Sequence, residues 1–232
     1  DYIGARAPYG YRKDPDNCHK LLIDENTAPV VKQIFEWAHE HVALNRIVRN
    51  LNEMGLPAPS HYKKATGEIT SPGLIGSGKW QTRTVMKILE SEVYTGDLVQ
   101  GKTKIVDHQQ VKAGEDNLII AKCTHEPIIS HELFNAVQEY RKQICEESKA
   151  TPKRPYTPNI FKGKVFCADC GRSLHRQRAE RRKGPDTYWF HCLTNSRVEK
   201  DSCKGATMQE KELISIVTAI LEKELTVALG MS

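Results

Sequence analysis

Apolar residues recur every three or four positions in several stretches before residue 150, the spacing that forms one buried stripe on a helix. A first helix is predicted from Thr27, with Pro29 in its first turn, and a second ends at Gly55. Thr82 and Ser130 are the predicted N-caps of a third and a fourth helix. The predicted buried positions are Val30, Val31, Ile34, Phe35, Ala38 and His41; Leu44, Ile47, Val48, Leu51 and Met54; Val85, Ile88 and Leu89; and Leu133, Phe134, Val137, Tyr140 and Ile144.

Alternation of apolar and polar residues predicts a small amount of β-structure between these helices. Residues 93–100 alternate as a strand, and residues 117–122 offer a partner across a polar loop. Cys123 follows in phase, so its side chain is expected to be buried. Residues 20–24 are a candidate for another short strand. Residues 57–79 are rich in Pro, Gly, Ser and Lys without periodicity, which predicts a long loop.

Polar and basic side chains occupy the outer side of the third predicted helix. Two short helices with such side chains on the second are typical of a helix-turn-helix reader, in which the second helix enters a DNA major groove. The candidate base readers are Gln81, Arg83, Thr84 and Lys87; arginine suits guanine and glutamine suits adenine. The alternative is an ordinary solvated helix face, and the long connection between the helices departs from the usual tight turn.

The first residues of the chain read as extended, because Pro8 and Gly10 interrupt any helical pattern. Arg6, Tyr9 and Arg12 on such a segment suit a neighbouring minor groove or backbone phosphates. Packing of Tyr9 and Tyr11 on the helices is the alternative.

Four of the seven cysteines follow the spacing of a metal-binding ribbon: Cys167, Cys170, Cys192 and Cys203. A C-x2-C turn brings two thiolates to one metal, and the second pair closes a tetrahedron around a structural Zn²⁺. Full sulfur coordination argues against a catalytic metal, which keeps a position open for water. The alternatives are two disulfides, free thiols, or replacement of one cysteine ligand by His175 or His191.

The net charge of +5 is unevenly distributed along the chain. Residues 151–205 contain 13 Lys and Arg against 5 Asp and Glu, which is typical of a surface that meets a polyanion. A solvated basic face is the alternative explanation. The candidate DNA contacts of the ribbon lie around a hairpin with its tip near Gly184: Arg172, Arg176, Arg178, Arg181, Arg182 and Lys183.

A length of 232 residues allows two domains. The predicted boundaries are residues 1–147, a polar linker at 148–158, and residues 159–232, where an apolar stripe over 209–229 predicts a C-terminal helix packed on the ribbon. The fold class is therefore α+β: a mainly helical DNA-binding domain with a small β-hairpin, then a zinc β-ribbon domain with a C-terminal helix. No apolar run approaches membrane-spanning length, and cysteine usage favours a reducing, cytoplasmic setting.

Several motifs occur in a familiar order: A-P-Y-G-Y, I-V-R-N-L-N-E-M-G-L-P-A-P-S, K-W-Q-T-R-T-V-M-K-I-L-E-S-E-V-Y-T-G-D, H-E-P-I-I-S, F-C-A-D-C-G and Y-W-F-H-C. This order resembles the C-terminal DNA-binding region of the large serine recombinases, of the phage integrase and transposon resolvase type. The resemblance covers nearly the whole chain. It implies a bacterial or phage-encoded protein with a recombinase domain followed by a zinc ribbon domain.

The resemblance also implies a function. Both modules would bind the double-stranded attachment site of a mobile element during DNA integration or excision, alongside other recombinase subunits. The catalytic serine domain of the family precedes this region, so the chain is expected to be a fragment without enzymatic activity. Two alternatives stay open: a zinc-ribbon protein-interaction module with an incidental basic surface, and a zinc enzyme acting on nucleic acid.

Overall fold

The computed structural model describes residues 2, 4, 6–69, 78–101, 103–106, 109–112, 118–150, 157–181, 184–198 and 202–230. The chain divides into two compact units, Asp1–Lys153 and Arg154–Ser232. Helices and small antiparallel sheets occur together, which confirms the predicted α+β class. Within the described residues, no helix is both long and apolar enough to cross a bilayer.

The first unit is built on helices around one apolar core. The helices are α1 (Ala28–His39), α2 (Leu44–Glu53), α3 (Pro59–Ala65), α4 (Thr82–Leu89) and α5 (His131–Ala150). Their buried stripes largely match the predicted positions, and the largest fully buried side chains of this unit include Trp80, Phe35, Ile34, Ile47, Leu51 and Leu89. Burial of each such side chain contributes about 1.5–3 kcal/mol, so packing rather than helix propensity holds the short helices in place.

The strands of the first unit form three separate antiparallel pairs. These are β1 (Tyr11–Lys13) with β2 (Leu21–Ile23), β3 (Leu98–Gln100) with β6 (Ile119–Ala121), and β4 (Thr103–Val106) with β5 (Gln109–Lys112). The predicted pairing of residues 93–100 with 117–122 is therefore confirmed for its central residues. The polar segment between them, predicted as a loop, contains the β4–β5 hairpin.

Several local predictions for the first unit are wrong. Residues 57–79 contain α3, which begins at a proline and is too short to show periodicity. Residues 92–95 form a 3-10 turn that ends at Gly96, whose φ of +88° turns the chain before β3 begins. Helix α5 continues to Ala150 into the predicted linker, because polar residues extend an exposed helix as readily as a loop.

Individual side chains also depart from the helical patterns. Met54 is 60% exposed, because α2 ends at Glu53 and the buried position falls to Asn52. Cys123 is exposed with a φ of +53°, because β6 ends at Ala121 and the alternation stops there. Ser130 caps α5 as predicted, since its Oγ accepts the Leu133 N–H at 3.2 Å. Thr82 does not cap α4; its hydroxyl donates to Asn45 Oδ1 instead.

The second unit is a three-stranded antiparallel sheet followed by a long helix. The strands β7 (His175–Ala179), β8 (Thr187–His191) and β9 (Thr207–Gln209) lie in that order. A short helix, α6 (Thr194–Arg197), follows β8, and α7 (Glu210–Ala228) follows β9. Only Leu213 and Val217 of the predicted α7 stripe are half-buried; the other apolar residues of this stripe that the structure describes are exposed.

Candidate metal centre and nucleic-acid interface

The four predicted cysteine ligands come together at one end of the ribbon sheet. Cys167 and Cys170 lie on a turn before β7, where the Gly171 N–H donates to the Cys167 carbonyl at 2.9 Å. Cys192 follows β8, and its N–H donates to the Ala206 carbonyl at 2.8 Å. Cys203 lies before β9. The four Sγ atoms are all within 4.8 Å of one another, so three separate segments converge on a single point.

The distances between the sulfur atoms fit one metal ion. The Sγ atoms are 3.6 Å apart for Cys167 and Cys203, 3.5 Å for Cys170 and Cys192, and 3.7 Å for Cys192 and Cys203. Four thiolates at the Zn–S distance of about 2.3 Å stand about 3.8 Å apart in a tetrahedron. A disulfide needs about 2.05 Å, and all four cysteines are free. The donor set therefore fits a metal site.

The histidines proposed as alternative ligands lie elsewhere on the sheet. Among the described residues, the group able to hold a metal consists of the four cysteines alone. His175 pairs with His191 across β7 and β8, and the His191 ring lies 3.3 Å from the Thr207 hydroxyl. The arrangement therefore favours the cysteines over either imidazole.

Hydrogen-bond donors around the sulfurs stabilise thiolate charge. The Thr194 hydroxyl lies 3.2 Å from the Sγ atoms of both Cys170 and Cys192. This hydroxyl, together with the Arg172 backbone N–H, lowers the pKa of Cys170 to about 6. The Gly205 N–H points at Cys203 Sγ at 3.3 Å. Deprotonated sulfur is the form that binds metal, so the donors to Cys170 prepare that ligand for a cation.

Two polar residues that the sequence interpretation missed shape the loops carrying the ligands. Asn195 in α6 accepts the Cys203 N–H at 2.9 Å, and its amide donates back to the Cys203 carbonyl. Asp169 accepts the Lys204 N–H at 2.7 Å, which lowers the pKa of that carboxyl. The signals in the sequence were a carboxylate inside the C-x2-C turn and an amide three residues after Cys192, which a search for ligands alone passes over.

The predicted basic residues of the ribbon differ in whether they pair with a carboxylate and in how exposed they are. The Arg176 guanidinium donates to Glu210 Oε2 at 2.6 Å and lies 3.7 Å from the centre of the Tyr188 ring. Arg178 Nε donates to Asp186 at 2.6 Å, which raises the pKa of the guanidinium. Arg172 is half-buried and Arg181 is exposed. Arg182 and Lys183 lie outside the described residues.

In the first unit, three of the four predicted base readers line one groove. Gln81, Thr84 and Lys87 lie along the same side of α4, beside an open groove of about 480 Å³. Arg83 is exposed one position, or about 100° of helix rotation, away from Thr84. The groove also receives residues that sequence reasoning did not select: Ser60, Lys79 and Ser91.

The amino-terminal candidates divide between surface and core. Arg6 and Arg12 are exposed. Tyr9 is only 6% exposed, and its ring meets Tyr62 and Trp80 edge to face at 5.9 and 5.4 Å between centroids. Burial raises the pKa of Tyr9. Of the two interpretations of Tyr9, the structure favours packing on the helices. Burial of the aromatic ring in this core stabilises the fold more than exposure of the ring to solvent.

The start of α4 is held by side chains of α2. Asn52 accepts the Trp80 N–H at 2.8 Å through Oδ1 and donates to the Trp80 carbonyl at 3.2 Å through Nδ2. The Trp80 indole N–H donates to the Leu56 carbonyl at 3.0 Å. Asn52 was not among the predicted buried positions of α2, so this contact was not predicted from the sequence.

The protein is a modular α+β protein with a metal site. One unit is helical and has a polar groove beside a short helix, and the other is a ribbon with four convergent thiols. Residues 25–143 match the family described as Recombinase, and residues 160–222 match the Recombinase zinc beta ribbon domain. The chain belongs to the Recombinase family. The resemblance derived from the order of its motifs is confirmed.

An individual relative found by sequence comparison has low sequence identity to this chain. The uncharacterized protein YefB of Bacillus subtilis (strain 168) is 28% identical over 163 residues, which is 67% of this chain and 50% of that protein. The chain thus spans about half the length of this relative.

Two solved structures are also similar. One is the structure of an LSR–DNA complex, which is 19% identical to this chain with a TM-score of 0.36. The alignment covers 93% of this chain and 58% of the chain in that structure. Another, from a study of the sequence requirements of the Listeria innocua prophage attP site, is 17% identical with a TM-score of 0.42, covering 96% and 81%.

Proposed function

We propose that this chain binds double-stranded DNA in a sequence-specific manner at the attachment site of a site-specific serine recombinase. Membership of the Recombinase family supports a role in recombination. The observation that carries the DNA assignment is the polar side of α4, where Gln81, Thr84 and Lys87 line one groove and Arg83 stands exposed beside them.

The dimensions of α4 suit a major groove. An α-helix with its side chains is about 10–12 Å in diameter, and the major groove of B-DNA is about 12 Å wide. Arg83 has the two donors that recognise the O6 and N7 atoms of guanine. Gln81 has the donor and acceptor that recognise adenine. Lys87 near the end of the helix suits a phosphate.

The ribbon would supply a second contact to the same site. Arg181 is exposed, and residues 151–205 carry an excess of positive charge. Arg176 and Arg178 already pair with carboxylates, so they would contribute less new attraction for phosphate than Arg181. The four thiolates would hold Zn²⁺ as a structural ion that folds the loops carrying these residues.

The chain's own task in this proposal is to choose and hold the site. Strand cleavage and joining would be performed by a catalytic domain of the whole recombinase, in company with other subunits on the same DNA. The reduced thiols of the ribbon suit the bacterial cytoplasm, where such an element integrates and excises.

A second candidate function is docking of a protein partner on α7. Ile216, Ile220, Leu221 and Leu225 are each about half exposed or more, at 49%, 55%, 56% and 58%. An apolar helix face of this kind is uncommon on an isolated surface and is typical of an interface. Both functions are compatible, because subunits that share one DNA site also meet each other.

Selection of duplexes from a random library, with the zinc-loaded chain at near-physiological salt, tests the proposal. Enrichment of one extended motif is expected. Arg83→Ala should relax specificity at one position of the motif and cost about 1–3 kcal/mol, or about 5- to 150-fold in affinity. Lys223→Ala on α7 is the control and should leave the motif unchanged. If no motif emerges and all duplexes bind equally weakly, the assignment fails and partner docking takes its place.

A further inference from the structure

Asn52 is a buried polar residue near the end of α2, and its hydrogen bonds reach the residue that precedes the N-cap of α4. We propose that Asn52 is the positioning residue that fixes the orientation of α4 for DNA reading. This inference rests on the proposed function, since it concerns how the helix that carries Gln81, Thr84 and Lys87 is presented.

The contact made by Asn52 is specific in its chemistry. The residue is only 3% exposed. Its side chain pairs with both backbone groups of Trp80, 28 positions further along the chain. Only an amide side chain offers a donor and an acceptor side by side in this geometry. Two bonds to one residue fix its rotation as well as its distance. Trp80 therefore cannot pivot about a single hydrogen bond.

Trp80 is the residue through which this constraint reaches α4. Its side chain is fully buried, its ring packs against Tyr9, and its indole N–H is bonded to the Leu56 carbonyl. The next residue is Gln81, the N-cap of α4 and a groove residue. Fixing the peptide of Trp80 thus fixes the direction in which α4 leaves the core.

Helix α4 has little of its own to define its start. It is eight residues long, and no side chain of its N-cap bonds to the first turn. Helices of this length are marginal without tertiary contacts. A second contact from the same helix α2, the Asn45 Oδ1 that accepts the Thr82 hydroxyl at 3.1 Å, adds to the hold. α2 is therefore the platform on which the reading helix is aligned.

An orientation device affects specific and non-specific DNA binding differently. Base readout depends on side chains meeting base edges within a fraction of an ångström, whereas phosphate attraction depends mainly on the number of cations nearby. Loss of Asn52 leaves every Lys and Arg in place. The expected signature is a loss of discrimination between sequences with little change in non-specific affinity or in its salt dependence.

The test uses Asn52→Leu, which keeps the branched shape and the number of heavy atoms but leaves the Trp80 N–H and carbonyl without their partner. The zinc-loaded full chain is measured against the duplex selected above and against a scrambled duplex of equal length. We expect the ratio of the two affinities to fall at least tenfold in Asn52→Leu. Asn52→Asp, which retains the acceptor for the Trp80 N–H and loses the donor, should shift the ratio in the same direction and serves if the leucine variant does not fold.

Leu21→Ala is the matched control, because it removes a buried side chain of the same core from β2 and leaves the hydrogen bonds of Asn52 to Trp80 in place. It should lower the thermal midpoint and leave the affinity ratio intact at temperatures where the chain is folded. Hydrogen exchange gives a readout independent of DNA: compared with Leu21→Ala, the Trp80 amide should exchange faster in Asn52→Leu, and the first turn of α4 should exchange faster in both Asn52 variants.

The possible outcomes separate this inference from the proposed function. A folded Asn52→Leu chain that keeps its affinity ratio overturns the positioning role while DNA reading stands. A fall of the ratio in Leu21→Ala equal to that in Asn52→Leu also overturns it, because stability alone would then explain the loss. If the unmodified chain prefers no duplex, the proposed function fails first, whatever the exchange rates show.

Discussion

At the scale of the residue, Thr194 shows how a side chain that binds no metal can shape a metal site. Its hydroxyl lies 3.2 Å from two of the four sulfurs and stabilises the charged form of Cys170. A ligand search in the sequence finds cysteines by spacing, whereas a hydroxyl beside them has no spacing rule. Its role follows only from the convergence of α6 with the C-x2-C turn.

Thr194→Val is expected to weaken Zn²⁺ binding by about 10- to 100-fold, the usual cost of losing a hydrogen bond to a ligand atom. Competition with a chromophoric chelator measures the affinity. Ser196→Ala, in the same short helix, removes a hydroxyl that donates to the Leu193 carbonyl and not to sulfur, so it should bind zinc normally. Equal affinity in Thr194→Val and the unmodified chain would contradict this role.

His125 is a second residue whose surroundings predict a measurable property. Burial lowers the pKa of its imidazole, and the ring lies 2.6 Å from the Val93 carbonyl and 2.8 Å from the Thr124 hydroxyl. Since the folded-state pKa lies below the unfolded value of about 6.5, unfolding takes up a proton. The stabilising contribution of His125 is therefore present above about pH 6.5 and declines as the pH falls below it.

Urea unfolding at pH 7.5 and at pH 5.5 checks this expectation. The free energy of unfolding of the first unit should decrease at the lower pH, and His125→Asn should reduce that decrease while lowering stability at pH 7.5. His19→Asn provides a control on an exposed histidine. An unchanged pH dependence in His125→Asn would assign the effect to other groups.

At the scale of the element, the β7–β8 hairpin distributes its cations unequally. Arg181 is exposed, whereas Arg178 forms an ion pair with Asp186, the residue directly before β8. A phosphate must compete with that carboxylate for Arg178, so part of its attraction is offset. The number of basic residues in the hairpin therefore overstates the number available to DNA.

Arg181→Ala is expected to reduce the slope of log affinity against log salt by about 1, uniformly across sequences. Arg178→Ala should change the slope less. Fluorescence anisotropy of a labelled duplex between low and physiological salt measures both. A larger change for Arg178→Ala than for Arg181→Ala would show that the ion pair opens on binding and that Arg178 is the main phosphate contact.

At the scale of the whole molecule, the two units obtain stability from different sources. The first has a core with Trp80, Phe35 and Ile34 fully buried. Among the described residues of the ribbon, Phe190 is the only fully buried large side chain, and the four sulfurs lie where a core would otherwise be. Structural zinc contributes about 10–16 kcal/mol in small domains, so Zn²⁺ held as proposed by the four thiolates would replace that missing core.

Removal of zinc with a strong chelator should therefore unfold the ribbon and leave the helical unit folded. Hydrogen exchange followed by mass spectrometry should show loss of protection in β7, β8 and β9, with α1 and α4 unchanged. Re-addition of Zn²⁺ should restore protection. Loss of protection in α1 as well would show that the first unit depends on the ribbon.

Much of the architecture followed from sequence because its signals are local. The apolar stripes of α1, α2, α4 and α5 repeat over several turns, and the C-x2-C spacing specifies a chelating turn. Sequence periodicity did not predict the 3-10 turn at Glu92–Thr95 or helix α3, because each is too short for periodicity to distinguish it from a strand or a loop. The exposure of Cys123 escaped because it depends on where strand β6 ends.

The sequence by itself determined the α+β class, the buried faces of the main helices, the cysteine set and the family, since each is written in residues close together along the chain. Tertiary structure alone decided which polar groups face each other across long separations: Asn52 with Trp80, Thr194 with two thiols, and Arg178 with Asp186. Such pairs depend on distance and angle in the folded chain, and no spacing rule encodes them. They decide which candidate cations remain unpaired and how α4 is held.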